Sequence, residues 1–382
     1  MLIAALDPEI YLKSQRTQRR MVGALVSAIT DSFGGDVELR RLAGHRLAVA
    51  TERSDAIDRL AHIFGIRAVE TVEPVQITTV RQLAETVAER FADRVEGKTF
   101  AVRPTRMGSH DWSSQDLAVA AGSLLVEAGG SVDLSRPEYT VVVRVVDDVA
   151  YLTLDVAPGV GGLPPGTQGK ALMLFSGGID SPVAAFLMAR RGVALDYLHF
   201  SLGCGQADHA AGVAHLLTDR YGAGTDPMLH VVDLEPAVAE IQHRVPARER
   251  QMALKGVMYR ASAAVAGADG TVRALVNGES LGQVSTQTLD NVAALDRLIS
   301  IPMLRPLIGL SKETIMTKAR EIGTFEVSSR TRELCDIAGG ARVSVSTRPA
   351  KLAVITEGLG DLVDHAVMTT KSMRLTDWMP GG

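Results

Sequence analysis

The chain has 382 residues, 46% hydrophobic, 22% charged and 4% aromatic, with 40 Lys and Arg against 44 Asp and Glu. At roughly 150 residues per domain this length predicts two or three domains, and a net charge of −4 excludes a uniformly basic nucleic-acid-binding chain but not a local basic patch. Its two cysteines, Cys204 and Cys335, exclude a disulfide scaffold and a four-cysteine zinc site, and suggest a reducing, cytoplasmic setting.

Met1–Pro8 lacks the basic region of a signal peptide. No run approaches the roughly 18 apolar residues of a membrane span, so no membrane partner is expected. In chain order, Ile10–Thr30 reads as a helix and Arg46–Ala50 as a strand. Ser54–Phe64 is a second helix, with Ile57, Leu60, Ala61 and Phe64 at helical spacing. A strand near Ala68–Val72, a helix at Val80–Val95, a strand at Thr99–Arg103 and a helix at Ser114–Ala128 follow, then strands at Thr140–Val146 and Val149–Leu154. This alternation predicts two small α+β modules, residues 1–68 and 69–164. No Asp or Glu occurs from Ile10 to Thr30, and Lys13, Arg16 and Arg20 share one face of the predicted helix by i, i+3, i+7 spacing. Such a stripe suits tracking of phosphates.

Pro158–Gly166 concentrates breaker residues and reads as a linker. Beyond it, in residues 165–382, β and α alternate strictly. Strands at Ala171–Phe175, Ala194–Phe200, Met228–Asp233 and Arg273–Asn277 are separated by helices at Ser181–Arg191, Ala207–Tyr221 and Arg248–Ala266. The fold class is therefore α/β, a doubly wound parallel sheet with its site at the carboxyl ends of the strands.

The most informative stretch is Ser176-Gly177-Gly178-Ile179-Asp180-Ser181 between the first of these strands and a helix carrying Pro182. Glycine lets backbone N–H groups turn toward a ligand. Ser181 is placed to cap the helix, whose N-terminus favours an anion. The Walker A ending and the G-x-G-x-x-G spacing are both absent. The stretch resembles the PP-loop of N-type ATP pyrophosphatases, which cleave ATP between its α and β phosphates and adenylate a substrate oxygen. That resemblance implies ATP and Mg²⁺, with the phosphates on Ser176, Gly177, Gly178, Asp180 and Ser181. It puts adenine between Leu174–Phe175 and His199–Phe200, with Asp180 positioning metal or pyrophosphate.

Two further segments narrow the family. Asn277-Gly278-Glu279-Ser280 through Gln287-Thr288-Leu289, and Leu304-Arg305-Pro306 through Ser311-Lys312-Glu313-Thr314-Ile315, are similar to motifs of the tRNA 4-thiouridine synthetases. The resemblance implies nucleotide contacts from Lys255, Gly278 and Gln287, and phosphate or RNA contacts from Arg260 and Arg305. Phe100–His110, with Arg103, Arg106 and His110, resembles a THUMP domain, an RNA-binding module that holds the acceptor end of tRNA. Glu9–Ser14 resembles the opening of the ferredoxin-like module that precedes it in the family.

Cys335 matches the family's PP-loop-domain cysteine, which implies a persulfide carrier; Arg330, Arg332 and Arg342 would favour its thiolate. Cys204, in a Gly-rich loop after the second strand of the sheet, is either incidental there or a second thiol resolving the Cys335 persulfide. With two thiols and no Cys-x-x-Cys, an iron–sulfur cluster is not expected. No rhodanese motif follows the PP-loop domain, so the chain reads as a short form supplied with sulfur by a cysteine desulfurase or a separate carrier. The family's link to thiamin synthesis is not carried over.

The expected activity is adenylation of a tRNA uridine, at position 8 by resemblance, then sulfur insertion to give 4-thiouridine, in a homodimer. The alternatives are another PP-loop tRNA modifier, of the 2-thiolase or lysidine synthetase type, and a non-catalytic tRNA-binding protein.

Overall fold

The amino-terminal half builds one sheet from two modules. In order, it contains β1 (Leu2–Leu6), α1 (Pro8–Tyr11), α2 (Gln15–Ser32), β2 (Glu38–Leu42), β3 (Arg46–Ala50), α3 (Ala56–Ala61), β4 (Ile66–Gln76), α4 (Val80–Val95), β5 (Thr99–Met107), α5 (Ser114–Glu127), β6 (Ser131–Val132), β7 (Tyr139–Val146) and β8 (Val149–Pro158). The computed structural model describes residues 1–202, 206–330 and 344–379. Their contacts divide the chain into two compact units, Met1–Ser14 with Ser32–Gly161, and Gln15–Asp31 with Gly162–Gly382.

In the first unit the strand order is β2-β3-β1-β4-β8-β7-β5-β6. The long strand β4 joins the modules, pairing antiparallel with β1 over Ile66–Thr71 and with β8 over Ala68–Gln76. Residue 68, where the sequence suggests a boundary, lies inside this strand. The buried carboxylate of Glu70 on β4 receives Arg46 of β3 at 3.4 Å and Arg144 of β7 at 2.5 Å. One acid thus holds strands from both modules. Helix α4 is capped by Thr79, whose side chain accepts from the Gln82 N–H, and α5 starts with a Ser113/Asp116 capping box. Val87, Phe91 and Val95 of α4 pack with Leu117, Ala121 and Leu125 of α5 over Phe100, Val141 and Val143 of the sheet.

Two expectations change here. The helix read over Ile10–Thr30 is interrupted: α1 ends at the C-cap Leu12, and α2 begins at Gln15. The chain passes from the first unit to the second between Ser14 and Gln15. Lys13 therefore precedes the helix, and the Lys13–Arg16–Arg20 stripe does not form as one helical face. Strands β1 and β2 were not anticipated. Four of the five residues of β1 are buried and β2 is a polar edge strand, so neither alternates in the way that marks a half-buried strand.

The second unit contains β9 (Lys170–Leu174), α6 (Asp180–Arg190), β10 (Ala194–Ser201), α7 (Gln206–Tyr221), β11 (Met228–Asp233), α8 (Glu235–Arg244), α9 (Arg250–Asp269), β12 (Val272–Val276), α10 (Leu289–Asp296), β13 (Met303–Leu304), α11 (Lys312–Glu321), α12 (Phe325–Ser328), α13 (Pro349–Glu357), α14 (Gly360–Met368) and β14 (Lys371–Arg374). Its sheet order is β13-β12-β9-β10-β11-β14, parallel except for β14, which runs antiparallel to β11. The α/β expectation holds, but α8 and α9 both fall between β11 and β12, so the alternation is not strict. Helix α9 is buried nearly all round, through Met252, Leu254, Val257, Tyr259, Ala261 and Ala266. It packs with Leu172, Leu198, Val232 and Leu275 of the sheet.

The stretch read as a linker is built into the fold. Gly159, Val160 and Gly161 donate to the carbonyls of Arg67, Ala61 and Ile66, and Leu163 is buried, its N–H on the Arg190 carbonyl. The glycines serve close approach here, since a Cβ on Gly159 would lie 2.4 Å from the Ile66 oxygen.

In the second unit α2 buries Met21, Val22, Leu25, Ala28 and Ile29. Arg20 donates to the Thr167 carbonyl at 3.1 Å, and Gly224, at φ +74°, leaves room for only 2.7 Å between a Cβ and Ala28 Cβ. Gly224→Ala is expected to cost about 2–4 kcal/mol, from positive φ and overpacking, read as a lower thermal unfolding midpoint. An unchanged midpoint would show that α2 does not pack there.

Candidate functional site

The chain runs from β9 to β10 and β11 on one side of β9, then returns to β12 and β13 on the other. The carboxyl end of β9 is therefore the switch point at which open α/β sheets bind ligands, and Ser176–Ser181 occupies it.

The loop closes on itself through two hydroxyls. Ser181 Oγ accepts from the Ser176 N–H at 3.3 Å and lies 3.2 Å from Ser176 Oγ, which in turn accepts from the Gly178 N–H at 3.2 Å. Ser181 is thus not the helix cap expected from sequence. Its residue is already in the first turn of α6, whose N-cap, Ile179, makes no side-chain cap bond. The first N–H groups of α6 keep no side-chain cap, the arrangement that suits an anion.

Two glycines form the cradle. Gly177 has φ +76°, and a Cβ there would stand 2.9 Å from Ala210 Cα; the Gly177 carbonyl accepts from His209 Nε2 at 3.2 Å. A Cβ on Gly278 would lie 3.1 Å from Asp180 C and Ser181 N. The segment after β12 therefore abuts the first turn of α6 with bare backbone.

Asp180 is joined to both downstream motifs: Gln283 Nε2 donates to Oδ2 at 2.8 Å and Lys312 Nζ to Oδ1 at 2.7 Å. On the β10 side, the buried His199 donates from Nδ1 to the Phe175 carbonyl at 2.9 Å, while its Nε2 has no protein partner. Burial lowers the His199 pKa below its ordinary value, so the ring is neutral near pH 7. Phe175 is buried edge-on to Tyr197, at 5.0 Å between centroids. Leu174, Phe175, His199 and Phe200 thus sit at adjacent strand ends, as expected. Two amide oxygens, Gln283 Oε1 and Gln287 Oε1, are also buried without a protein partner. A Cβ-free cradle with unpartnered buried polar atoms fits a polar ligand.

Behind this wall lies a charge cluster that the sequence reading used only in part. Glu279 is 6% exposed. Its Oε1 accepts from Lys255 Nζ at 2.6 Å, and its Oε2 from Tyr259 Oη at 2.9 Å, Asn277 Nδ2 at 2.9 Å and Arg305 Nε at 3.0 Å. Burial alone would raise the Glu279 pKa, but Lys255 and Arg305 outweigh it and hold the carboxyl at about 2. Arg305 also donates from Nη1 and Nη2 to Asp296 and from Nη2 to Tyr259. Arg260 donates to the Thr356 carbonyl in the last turn of α13. Both guanidinium groups read as phosphate or RNA contacts are engaged within the protein. Glu279, Gln283 and Lys312 were missed, though all three stand inside the motifs that carried the resemblance.

In the first unit, Arg103 and Arg106 lie three residues apart on β5 and so face opposite sides of the sheet. Arg103 donates to the Leu134 carbonyl. Arg106 Nη1 lies 3.2 Å from His110 Nδ1, with its guanidinium 5.7 Å from the Trp112 ring centre, and His110 Nε2 lies 2.8 Å from the Asp147 carbonyl. Nε2 must carry the proton to bond a carbonyl, which leaves Nδ1 to accept from Arg106. Cys204 and Cys335 lie outside the described residues. Among the described residues, no cluster of three or more His, Cys, Asp or Glu is arranged to hold a metal, and no helix is long and apolar enough to cross a membrane.

Residues 166–359 match the family described as "Thiamine biosynthesis protein (ThiI)", and residues 77–155 match the THUMP domain. The tRNA sulfurtransferase of Desulfurococcus amylolyticus is 37% identical over 336 residues, covering 86% of this chain and 69% of that protein. The probable tRNA sulfurtransferase of Aeropyrum pernix is 36% identical over 337 residues, 86% of this chain and 85% of that one. A crystal structure described as a 4-thiouridine synthetase–RNA complex with bound ATP is 27% identical and superposes with a TM-score of 0.86 over 98% of each chain.

The acid behaviour of the site follows from Glu279. Its folded pKa, about 2, lies below the ordinary glutamate value of 4.5. Its stabilisation is therefore complete above pH 4.5 and is lost as pH falls through about 2, and amounts to something on the order of 3 kcal/mol. Stability measured by urea unfolding is expected to fall less steeply between pH 4.5 and 2 in Glu279→Gln than in the unsubstituted chain; equal slopes would contradict the pairing.

Proposed function

The chain belongs to the ThiI family of tRNA sulfurtransferases, and from that premise we propose that it is an ATP-dependent enzyme that converts a tRNA uridine, at position 8, to 4-thiouridine. The observation that carries this reading is the Ser176–Ser181 loop at the switch point of the sheet, with Gly177 and Gly278 bringing bare backbone to its two sides.

ATP is held with its phosphates on the N–H groups of the loop and of the first turn of α6. Its adenine lies between the strand ends Leu174–Phe175 and His199–Phe200, and Lys255, Gly278 and Gln287 complete the site. Asp180, steadied by Gln283 and Lys312, orients the pyrophosphate. Asp180 is the loop carboxylate that would join the ligands of Mg²⁺, which would neutralise the charge of the phosphates. The uridine O4 attacks the α phosphorus, and the bond to the pyrophosphate leaving group breaks. This turns a poor leaving oxygen into AMP.

The terminal sulfur of a Cys335 persulfide then attacks C4 and AMP departs, which leaves the base joined to Cys335 through a disulfide. Attack of the Cys204 thiolate on Cys335 Sγ breaks that bond. Its electron pair goes to the sulfur on C4, and the products are 4-thiouridine and a Cys204–Cys335 disulfide. Both cysteine roles rest on sequence. A cysteine desulfurase or a separate carrier supplies the persulfide sulfur in the cytoplasm. Modules 1–68 and 69–164 hold the tRNA acceptor end, residues 165–382 carry the chemistry, and two copies of the chain act together.

Incubation with ATP, cysteine, a cysteine desulfurase and unmodified tRNA is expected to generate the near-ultraviolet absorbance of thiouridine and to release pyrophosphate. Cys335→Ala should abolish the absorbance while pyrophosphate release persists. Binding of tRNA with neither product would leave a non-catalytic tRNA-binding protein, and a different modified base would indicate another PP-loop modifier. Arg106→Ala is expected to weaken tRNA binding by roughly tenfold and to lower its salt dependence by about one phosphate contact, measured by filter binding at several salt concentrations.

A further inference from the structure

Glu279 is a buried carboxylate between two cations, and those cations are not equivalent. The Arg305 side chain is 8% exposed and makes four N–H donations, to Glu279, Tyr259 and twice to Asp296. A guanidinium has five N–H groups, so Arg305 is almost fully spent. The Lys255 side chain is 24% exposed, and its ammonium donates to Glu279 Oε1. An ammonium has three N–H groups, so that contact leaves donors over.

The backbone around Glu279 is fixed on both sides. Gly278 abuts Asp180 and Ser181 of the phosphate loop. Asn277 Oδ1 accepts from the Glu279 N–H at 3.1 Å, and the next residue, Ser280, is tied to the Leu310 carbonyl at 2.8 Å. The carboxylate therefore stands at a set place beside the loop, and Arg305, Tyr259 and Asn277 orient it.

We propose that Glu279 is a positioning residue for ATP: its Oε1 holds the Lys255 ammonium at one point, with the remaining N–H groups turned to the nucleotide, while Arg305 acts only as the structural counter-charge on Oε2. The proposal rests on the assignment of ATP to this loop. A lysine tethered in this way loses little side-chain freedom when it meets an anion, because a long flexible stem has already been ordered by folding. Removing the tether leaves the cation in the chain but no longer in register.

The test is a double-mutant cycle on the full chain, with the dissociation constants of radiolabelled ATP and of tRNA measured for the unsubstituted chain, Glu279→Gln, Lys255→Met and the double variant. A charge-assisted hydrogen bond of the usual strength corresponds to about tenfold in affinity. Each single variant is expected to weaken ATP by about tenfold. The double variant should be no weaker than either single one, because the acid acts through the lysine. Binding of tRNA should stay within about twofold. The proposal is overturned if the two losses multiply to about a hundredfold, if Glu279→Gln binds ATP normally, or if tRNA and ATP weaken together.

Should Glu279→Gln fail to fold, Glu279→Asp keeps the charge on a stem one methylene shorter. Its smaller ATP loss must likewise vanish in the Lys255→Met background, and persistence of that loss there refutes the idea. If the unsubstituted chain binds no ATP, the assignment of the loop fails, a result distinct from any outcome of the cycle.

Discussion

A buried carboxylate is tolerated only when donors meet both of its oxygens, and Glu279 meets that condition with two cations, a phenol and an amide. The cluster draws on four places: Lys255 and Tyr259 on α9, Asn277 and Glu279 after β12, Arg305 after β13 and Asp296 at the end of α10. With Lys255 and Arg305 balanced by Glu279 and Asp296, it carries no net charge. It also ties α9, a largely buried helix, to the segment that abuts the Ser176–Ser181 loop. A loop built from Ser-Gly-Gly has little stiffness of its own, and this wall supplies it.

The same geometry explains why the loop is rich in small residues. At Gly177 the backbone is left-handed and in contact with α7, and at Gly278 the neighbouring strand end meets the first turn of α6. A side chain at either position would crowd the facing backbone, Ala210 at Gly177 and Asp180–Ser181 at Gly278. The Ser176 and Ser181 hydroxyls satisfy the loop internally and leave the helix N-terminus uncapped. The loop thus presents the uncapped N–H groups of a helix N-terminus where a Walker A loop would end in Gly-Lys-Ser/Thr.

In the first unit a second buried acid plays a comparable part. Glu70 gathers Arg46 and Arg144 from strands on either side of β4, and β4 pairs with both modules. A strand shared in this way joins two sequence modules into one sheet of eight. It also explains why a boundary read from the alternation of strands and helices falls inside a strand: backbone hydrogen bonding runs on from one module to the other.

Local pattern was enough wherever the deciding interaction lies within a few residues. Val80–Val95 shows its helix through the spacing of Val87, Phe91 and Val95, and the turn between β9 and α6 is written in consecutive glycines. The Ser-Gly-Gly turn, its place after a parallel strand and the family were therefore legible from sequence. Where the deciding partner is far along the chain, sequence was silent. Nothing local marks the break at Leu12–Ser14, which arises because α2 packs with Gly224 and Thr167 more than a hundred residues away. Nor does it show that Arg305 is spent on Glu279 and Asp296, or that Lys312 and Gln283 converge on Asp180. Residue type and spacing determined which chemistry is present; only the folded chain decided which charges neutralise one another and which remain for a ligand, because a Coulomb partner is chosen by distance in space and not by distance in sequence.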